Sequence, residues 1–108
     1  NAYLGARPIA DALARGAGVV VTGRVADASL TIGPLAHEFG WGWSAADLDR
    51  IAAGTVAGHL IECGAQATGG LWINADDSTR LADVGYPIAE MAADGTFTLT
   101  KLEGTGRA

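Results

Sequence analysis

The chain contains one cysteine, Cys63. A single thiol cannot close an internal disulfide, so the fold does not depend on oxidising conditions and the chain reads as cytoplasmic. Basic residues are few: seven Lys and Arg stand against twelve Asp and Glu, for a net charge of −5. With no Lys/Arg cluster, neither a nucleic-acid surface nor a polybasic membrane patch is expected. No stretch approaches the roughly 20 apolar residues of a membrane span. Aromatics make up 6% of the chain, so a core must come mostly from Ala, Val, Leu and Ile. No internal repeat, low-complexity linker or secretory signal is visible.

What is present suits one small domain of 108 residues, 49% of them hydrophobic. Sixteen glycines are spread among the apolar residues, which points to tight turns and close backbone approaches rather than disorder. The chain opens at Asn1 on an approach to a helix, and residues 103–108 read like mid-sequence. The expectation is a piece of a longer protein, with catalytic partners lying elsewhere.

Residues 6–15 predict a short helix, with Pro8 in the first turn and Gly16 just past the end. Residues 17–22 form an uninterrupted, largely β-branched run, the pattern of a strand buried on both faces of a parallel sheet. Helix followed by buried strand gives an α/β rhythm. Residues 28–39 read as helical, interrupted at Gly33-Pro34. Trp41 and Trp43 sit in a loop and read as a core or interface plug. Ser44 and Asp47 suggest an acidic capping box opening a long helix over 45–66. Residues 71–85 read as irregular, turn-rich at 74–78. Asp94-Gly95 between residues 87–92 and 96–101 marks a β-hairpin.

The long helix carries the densest chemistry. His59, Glu62, Cys63 and Gln66 recur at i, i+3, i+4 and i+7, which places them within an arc of about 100°. The opposite side holds Gly54, Ala57, Gly58, Ile61 and Ala65, nearly all small and suited to close packing. His59 can serve as a general base, Cys63 as a nucleophile and Glu62 as a proton carrier. His59 and Cys63 are too few to specify a metal site. The alternative is a helix whose polar groups are satisfied by neighbouring backbone.

A second candidate follows the predicted strand. Thr22, Gly23, Arg24, Asp27 and Ser29 stand where α/β sheets bind ligands, just beyond a strand's carboxyl end. Gly23 lets backbone approach a ligand. Arg24 can hold a carboxylate or phosphate. Asp27 can act as a base, cap the next helix or pair with Arg24. The segment lacks the Gly-x-Gly-x-x-Gly dinucleotide fingerprint. Thr68, Gly69 and Gly70 form either a helix cap or a loop admitting a ligand to backbone amides. Residues 103–106 can form an anion-binding nest or a solvated loop, and His37-Glu38 completes the set.

Taken in order, these segments resemble the acyclic terpene utilisation family of the AtuA type. The matching stretches are residues 1–6 with Pro8-Ile9-Ala10, residues 21–30, Pro34-Leu35, residues 37–41, residues 53–66, residues 68–70, residues 85–90, Asp94-Gly95 and residues 103–106. The family pattern usually has Thr where Ala26 stands here, which removes one hydroxyl near Arg24. The resemblance implies a longer, bacterial, cytoplasmic protein of terpenoid breakdown (citronellol or geraniol type), in pathways that run through CoA thioesters. It names a pathway rather than a reaction.

The combined expectation is an α/β fold, a fragment of a Rossmann-like parallel-sheet domain with a C-terminal β-hairpin. Residues 1–108 form one domain or part of a larger one. A cleft joins the 22–29 and 59–70 segments and takes a small carboxylate or CoA ester, with no resident cofactor or metal. The rival is a non-catalytic subunit, its Gly54/Gly58/Ala65 face turned to a carboxylase-type partner. The rest of a longer chain or a second copy completes the assembly.

Overall fold

The computed structural model describes residues 2–71 and 82–106. The first helix, α1, spans Arg7–Ala14 with Pro8 in its first turn, where a missing N–H costs nothing. It ends at Arg15, and the Gly16 amide closes back on Leu13 at 2.9 Å. The second helix, α2, spans Ser29–Phe39 and stops at Gly40, whose φ of 65° reverses the chain. Pro34 lies inside α2 without interrupting it. The carbonyl that loses its helical partner belongs to Leu30, a residue 61% exposed.

The expected helix over 45–66 is divided. A 3₁₀ turn at Ala45–Asp47 leads into α3, Leu48–Glu62, and a second 3₁₀ turn covers Gly64–Thr68. The break falls at Cys63 and Gly64, the latter at φ 55°. The capping box does not form. Ser44 makes no side-chain cap bond; the Asp47 amide donates to the Ser44 carbonyl at 3.1 Å, and the Asp47 carboxylate accepts from the Gly42 amide at 2.9 Å and from Arg50 at 2.6 Å.

β1, Pro87–Met91, and β2, Phe97–Lys101, pair antiparallel through the Asp94-Gly95 turn, with Ala89 opposite Leu99. The Asp94 carboxylate accepts from the Thr96 amide at 2.9 Å and the Thr96 hydroxyl at 2.7 Å. The turn residue Gly95 is buried against Arg50 and Ala53 of α3, with φ 94°.

Close helix contact rests on glycine. A methyl group on Gly33 would lie 2.7 Å from Ile9, which fixes the α1–α2 approach. The small face of α3 packs on α2: Gly54 faces Trp41, Leu35 and Ile32, and Gly58 faces Ala28 and Thr31. That face is buried within the chain, so Gly54 and Gly58 are not open to a partner. Ala10, Ala36 and Trp41 form the core cluster, with Leu35, Phe39, Ile51 and Met91 against it. The Trp41 indole N–H donates to the Ala93 carbonyl at 2.9 Å and ties the helices to the hairpin.

The architecture is mixed helix and sheet, consistent with α/β, but the sheet seen is two antiparallel strands. Residues 17–22 form no strand, and the chain bends at Gly18. Val19 is 83% and Val21 91% exposed, the reverse of the predicted burial. Among the described residues, parallel pairing is confined to one bridge between Leu4 and Val25. A strand exists only where a neighbour accepts its hydrogen bonds, and residues 18–22 have no such neighbour among the described residues. The turn-rich segment expected at 74–78 lies outside the described residues. No helix among the described residues is long and apolar enough to cross a membrane.

Candidate functional site

Two clefts hold some of the residues singled out from the sequence: Thr22, Gly23 and Arg24 line one, Glu62 and Cys63 the other. The first, about 440 Å³, lies between α1 and residues 20–25, with Leu4, Pro8, Ile9, Val20, Val21 and Arg24 among its walls. Thr22 and Gly23 also line it. Its formation follows from the topology: the Leu4–Val25 bridge brings the 2–5 segment alongside residues 24–26, and the chain then diverges above α1. The bridge is made by the Ala26 amide donating to the Leu4 carbonyl at 2.9 Å and the Leu4 amide donating to the Arg24 carbonyl at 3.4 Å.

Arg24 is the cation of this cleft. Its guanidinium stands 4.9 Å from the centre of the Tyr3 ring and donates to the Tyr3 hydroxyl at 2.5 Å. A cation–π contact and one hydrogen bond tie the guanidinium to Tyr3 while leaving further N–H groups for an anion. Arg24 makes no ion pair with Asp27; among the described residues the salt bridge is Arg50–Asp47. Tyr3 is the residue that sequence reasoning passed over, since its role appears only once the bridge places residue 3 beside residue 24.

The second cleft, an open hollow of about 700 Å³, is lined by Glu62, Cys63, Gly64, Tyr86 and Pro87 among others. Cys63 is exposed and donates to the Glu62 carboxylate at 3.6 Å. The Glu62 charge, then desolvation, then that hydrogen bond and the Asp27 charge all push the thiol pKa up. Anionic neighbours favour the neutral thiol, the opposite of what an activated nucleophile needs. Tyr86 packs over Gly64, where a methyl group would stand 3.1 Å from the ring.

His59, Glu62, Cys63 and Gln66 are all exposed, with Gln66 beyond the helix break. Asp27 is close enough to act electrostatically on Cys63, and Ala28 beside it packs on Gly58. The packing of Ala28 on Gly58 is thus what brings the neighbourhood of Asp27 toward α3. Arg24 and Glu62 line different clefts. Ser29 is 2% exposed at the start of α2 and lines neither cleft.

The 68–70 segment is occupied by its own chain. The Thr68 hydroxyl lies within hydrogen-bond reach of the Ala65 and Gly85 carbonyls, at 3.1 Å and 2.5 Å. The Gly70 amide donates to Ala65 at 2.7 Å, and Gly69 takes φ 97° as a helix cap. In the 103–106 turn, Thr105 bonds back to the Leu102 carbonyl through both its amide and its hydroxyl. No group of three His, Cys, Asp or Glu side chains among the described residues is arranged to hold a metal ion.

A family model described as "Acyclic terpene utilisation family protein AtuA" matches residues 1–108. No curated protein and no solved structure matches the chain closely enough to count as a relative.

Proposed function

Because the chain belongs to the acyclic terpene utilisation family AtuA, we propose that it serves acyclic terpenoid breakdown by binding a carboxylate or CoA-ester intermediate in the cleft above α1. Family membership carries the link to acyclic terpene use; the intermediate and the roles that follow are this reading's own. The observation that supports it best is Arg24 standing over a largely apolar hollow. An acyclic terpenoid acid is a branched apolar chain with one anionic end. Leu4, Pro8, Ile9, Val20 and Val21 offer the chain an apolar wall, and Arg24 offers the anionic end a planar cation. The hollow of about 440 Å³ falls in the range typical of small-molecule sites.

In this reading, residues 2–5, α1 and residues 17–25 make up a strand–helix–strand unit of a Rossmann-like parallel sheet. The Leu4–Val25 bridge supports it, since parallel neighbours joined through a helix are the repeating unit of such sheets. Thr22, Gly23 and Arg24 then stand at a strand's carboxyl end, where these folds bind ligands. Glu62, His59 and Asp27 do not line this cleft, and the reading gives them no part in holding the ligand. Cys63 serves as a neutral hydrogen-bond donor rather than a nucleophile. A small molecule, and the rest of a longer chain or a second copy, are the partners this reading requires. The reaction takes place in the cytoplasm.

The test is made in the full-length protein. Arg24→Ala and Glu62→Gln are compared with wild type for growth on an acyclic terpenoid and for calorimetric binding of a branched medium-chain carboxylate. Arg24→Ala should weaken binding by roughly 10-fold or more, in keeping with loss of a charge-assisted contact. Unchanged binding and growth in Arg24→Ala would remove the proposed site.

A further inference from the structure

We propose that Gly5 and Gly23 set the width of the cleft above α1, so that it admits a methyl-branched chain and not a straight one alone. The proposal rests on the reading of that cleft as a carboxylate site and adds which acids it selects. It starts from glycines that the fold does not need. Of the sixteen glycines, eight take a left-handed φ. At five more, an added methyl group would come within 3.3 Å of an atom beyond its chain neighbours. Gly5, Gly18 and Gly23 are the three left over. None of them has a positive φ, and a methyl group on any of them would meet no atom beyond its chain neighbours within 4 Å. Neither turn geometry nor packing offsets the extra backbone freedom that a glycine loses there on folding.

Two of these three line the cleft. Gly5 and Gly23 stand on separate segments of its wall, and Gly18 is not among the lining residues. The two segments are joined beside them, where the Leu4 amide donates to the Arg24 carbonyl at 3.4 Å. Gly5 follows Leu4 and Gly23 precedes Arg24, so both bare positions flank the backbone of the residue that carries the cation. The apolar wall around them is built of full-sized side chains: Leu4, Pro8, Ile9, Val20 and Val21. A side chain at either glycine would take its volume from the hollow, because no packed neighbour stands in its way. A straight acyl chain tolerates that loss. A chain with methyl branches has a wider cross-section and does not. The ligand class is therefore a methyl-branched acid, held by Arg24 at its anionic end and shut out once the wall gains a methyl group.

Calorimetry on the full-length protein compares two isomeric acids, 3-methyloctanoate and nonanoate. Gly5→Ala, Gly23→Ala and the off-cleft control Gly18→Ala are set beside wild type, with thermal unfolding of each. Gly5→Ala and Gly23→Ala should weaken 3-methyloctanoate about 10-fold, the scale of one misfitted methyl group in a pocket, and nonanoate by less than about 3-fold. Gly18→Ala should bind both acids as wild type does. All three variants should melt at or above the wild-type midpoint, because alanine fits an unstrained position and lowers the entropy of the unfolded chain. Wild-type affinity for 3-methyloctanoate in either cleft variant overturns the proposal. So does an equal loss for the two acids, or a lowered midpoint in either cleft variant, which would give that glycine a part in the fold. If Arg24→Ala binds both acids as tightly as wild type, or wild type binds neither, the carboxylate reading itself fails and takes width selection with it.

Discussion

Gly58 of α3 lies against Ala28 so closely that a methyl group placed on it would stand 2.9 Å from the Ala28 Cβ and 3.1 Å from the Ala28 Cα. This contact brings the C-terminal half of α3, with its polar stripe, up to the start of α2 and Asp27. It explains why a helix accepts a residue that costs about 1 kcal/mol in propensity.

Gly58→Ala is therefore expected to destabilise. The propensity gain of about 1 kcal/mol is outweighed by overpacking of about 1–3 kcal/mol against backbone that cannot swing aside. Gly54→Ala is the contrast, since its nearest neighbours are side-chain atoms of Trp41, Leu35 and Ile32 at 3.3–3.6 Å. It should be neutral or stabilising by up to about 1 kcal/mol. Denaturant unfolding of the two variants checks the order, and equal effects would contradict the packing argument.

Trp41→Phe removes the indole N–H that the Ala93 carbonyl accepts and leaves space beside Phe39, which stacks on Trp41 at 5.6 Å between ring centres. A loss of about 1–3 kcal/mol is expected. Exchange of the hairpin amides should quicken relative to those of α2, because the bond lost joins the hairpin turn to the helices.

Cys63 should alkylate slowly at neutral pH, since Glu62 and Asp27 hold its thiol protonated beyond the ordinary range. Glu62→Gln removes the larger of the two charges and should raise the iodoacetamide rate at pH 8 several-fold, by about 3–10 times. The rate–pH profile should move to lower pH in the variant. An unchanged profile would mean the carboxylate does not reach the thiol in solution.

Asp94 has its carboxyl pKa lowered, first by the Thr96 hydroxyl and then by the Thr96 amide. A depressed carboxylate stabilises the folded form fully above its unfolded pKa of about 4. That contribution is lost as pH falls through the lower, folded value. The hairpin should thus hold at pH 5 and weaken in stronger acid. Thr96→Val should bring the Asp94 titration, followed by NMR, back toward the ordinary carboxylate range.

Legibility in the sequence followed the range of the forces involved. α1 was expected over 6–15 and spans Arg7–Ala14, because Pro8 and Gly16 act through their own backbone. The hairpin was legible from Asp94-Gly95 for the same reason. The long helix was expected unbroken, but Gly64 offered a left-handed turn that residue periodicity does not weigh. The capping box failed because Asp47 found a better donor in Gly42, a contact that depends on how the 40–43 loop folds. Residues 17–22 were read as a buried strand from composition, yet burial and pairing need a neighbour that composition does not supply. At the candidate site, Arg24 and the stripe residues were visible as chemistry. Their division between two clefts was not, since it depends on the α2–α3 packing set by Gly58.

The Leu4–Val25 bridge joins positions separated by one short helix, so closing it costs little chain entropy. The α1 crossover can therefore assemble early, while a ribosome is still adding the residues of α3. The docking of the hairpin on the helices, by contrast, brings Trp41 and Ala93 together across a separation of 52 residues, a costlier closure. Translation itself thus favours an order in which the ligand-facing end of the molecule takes shape first.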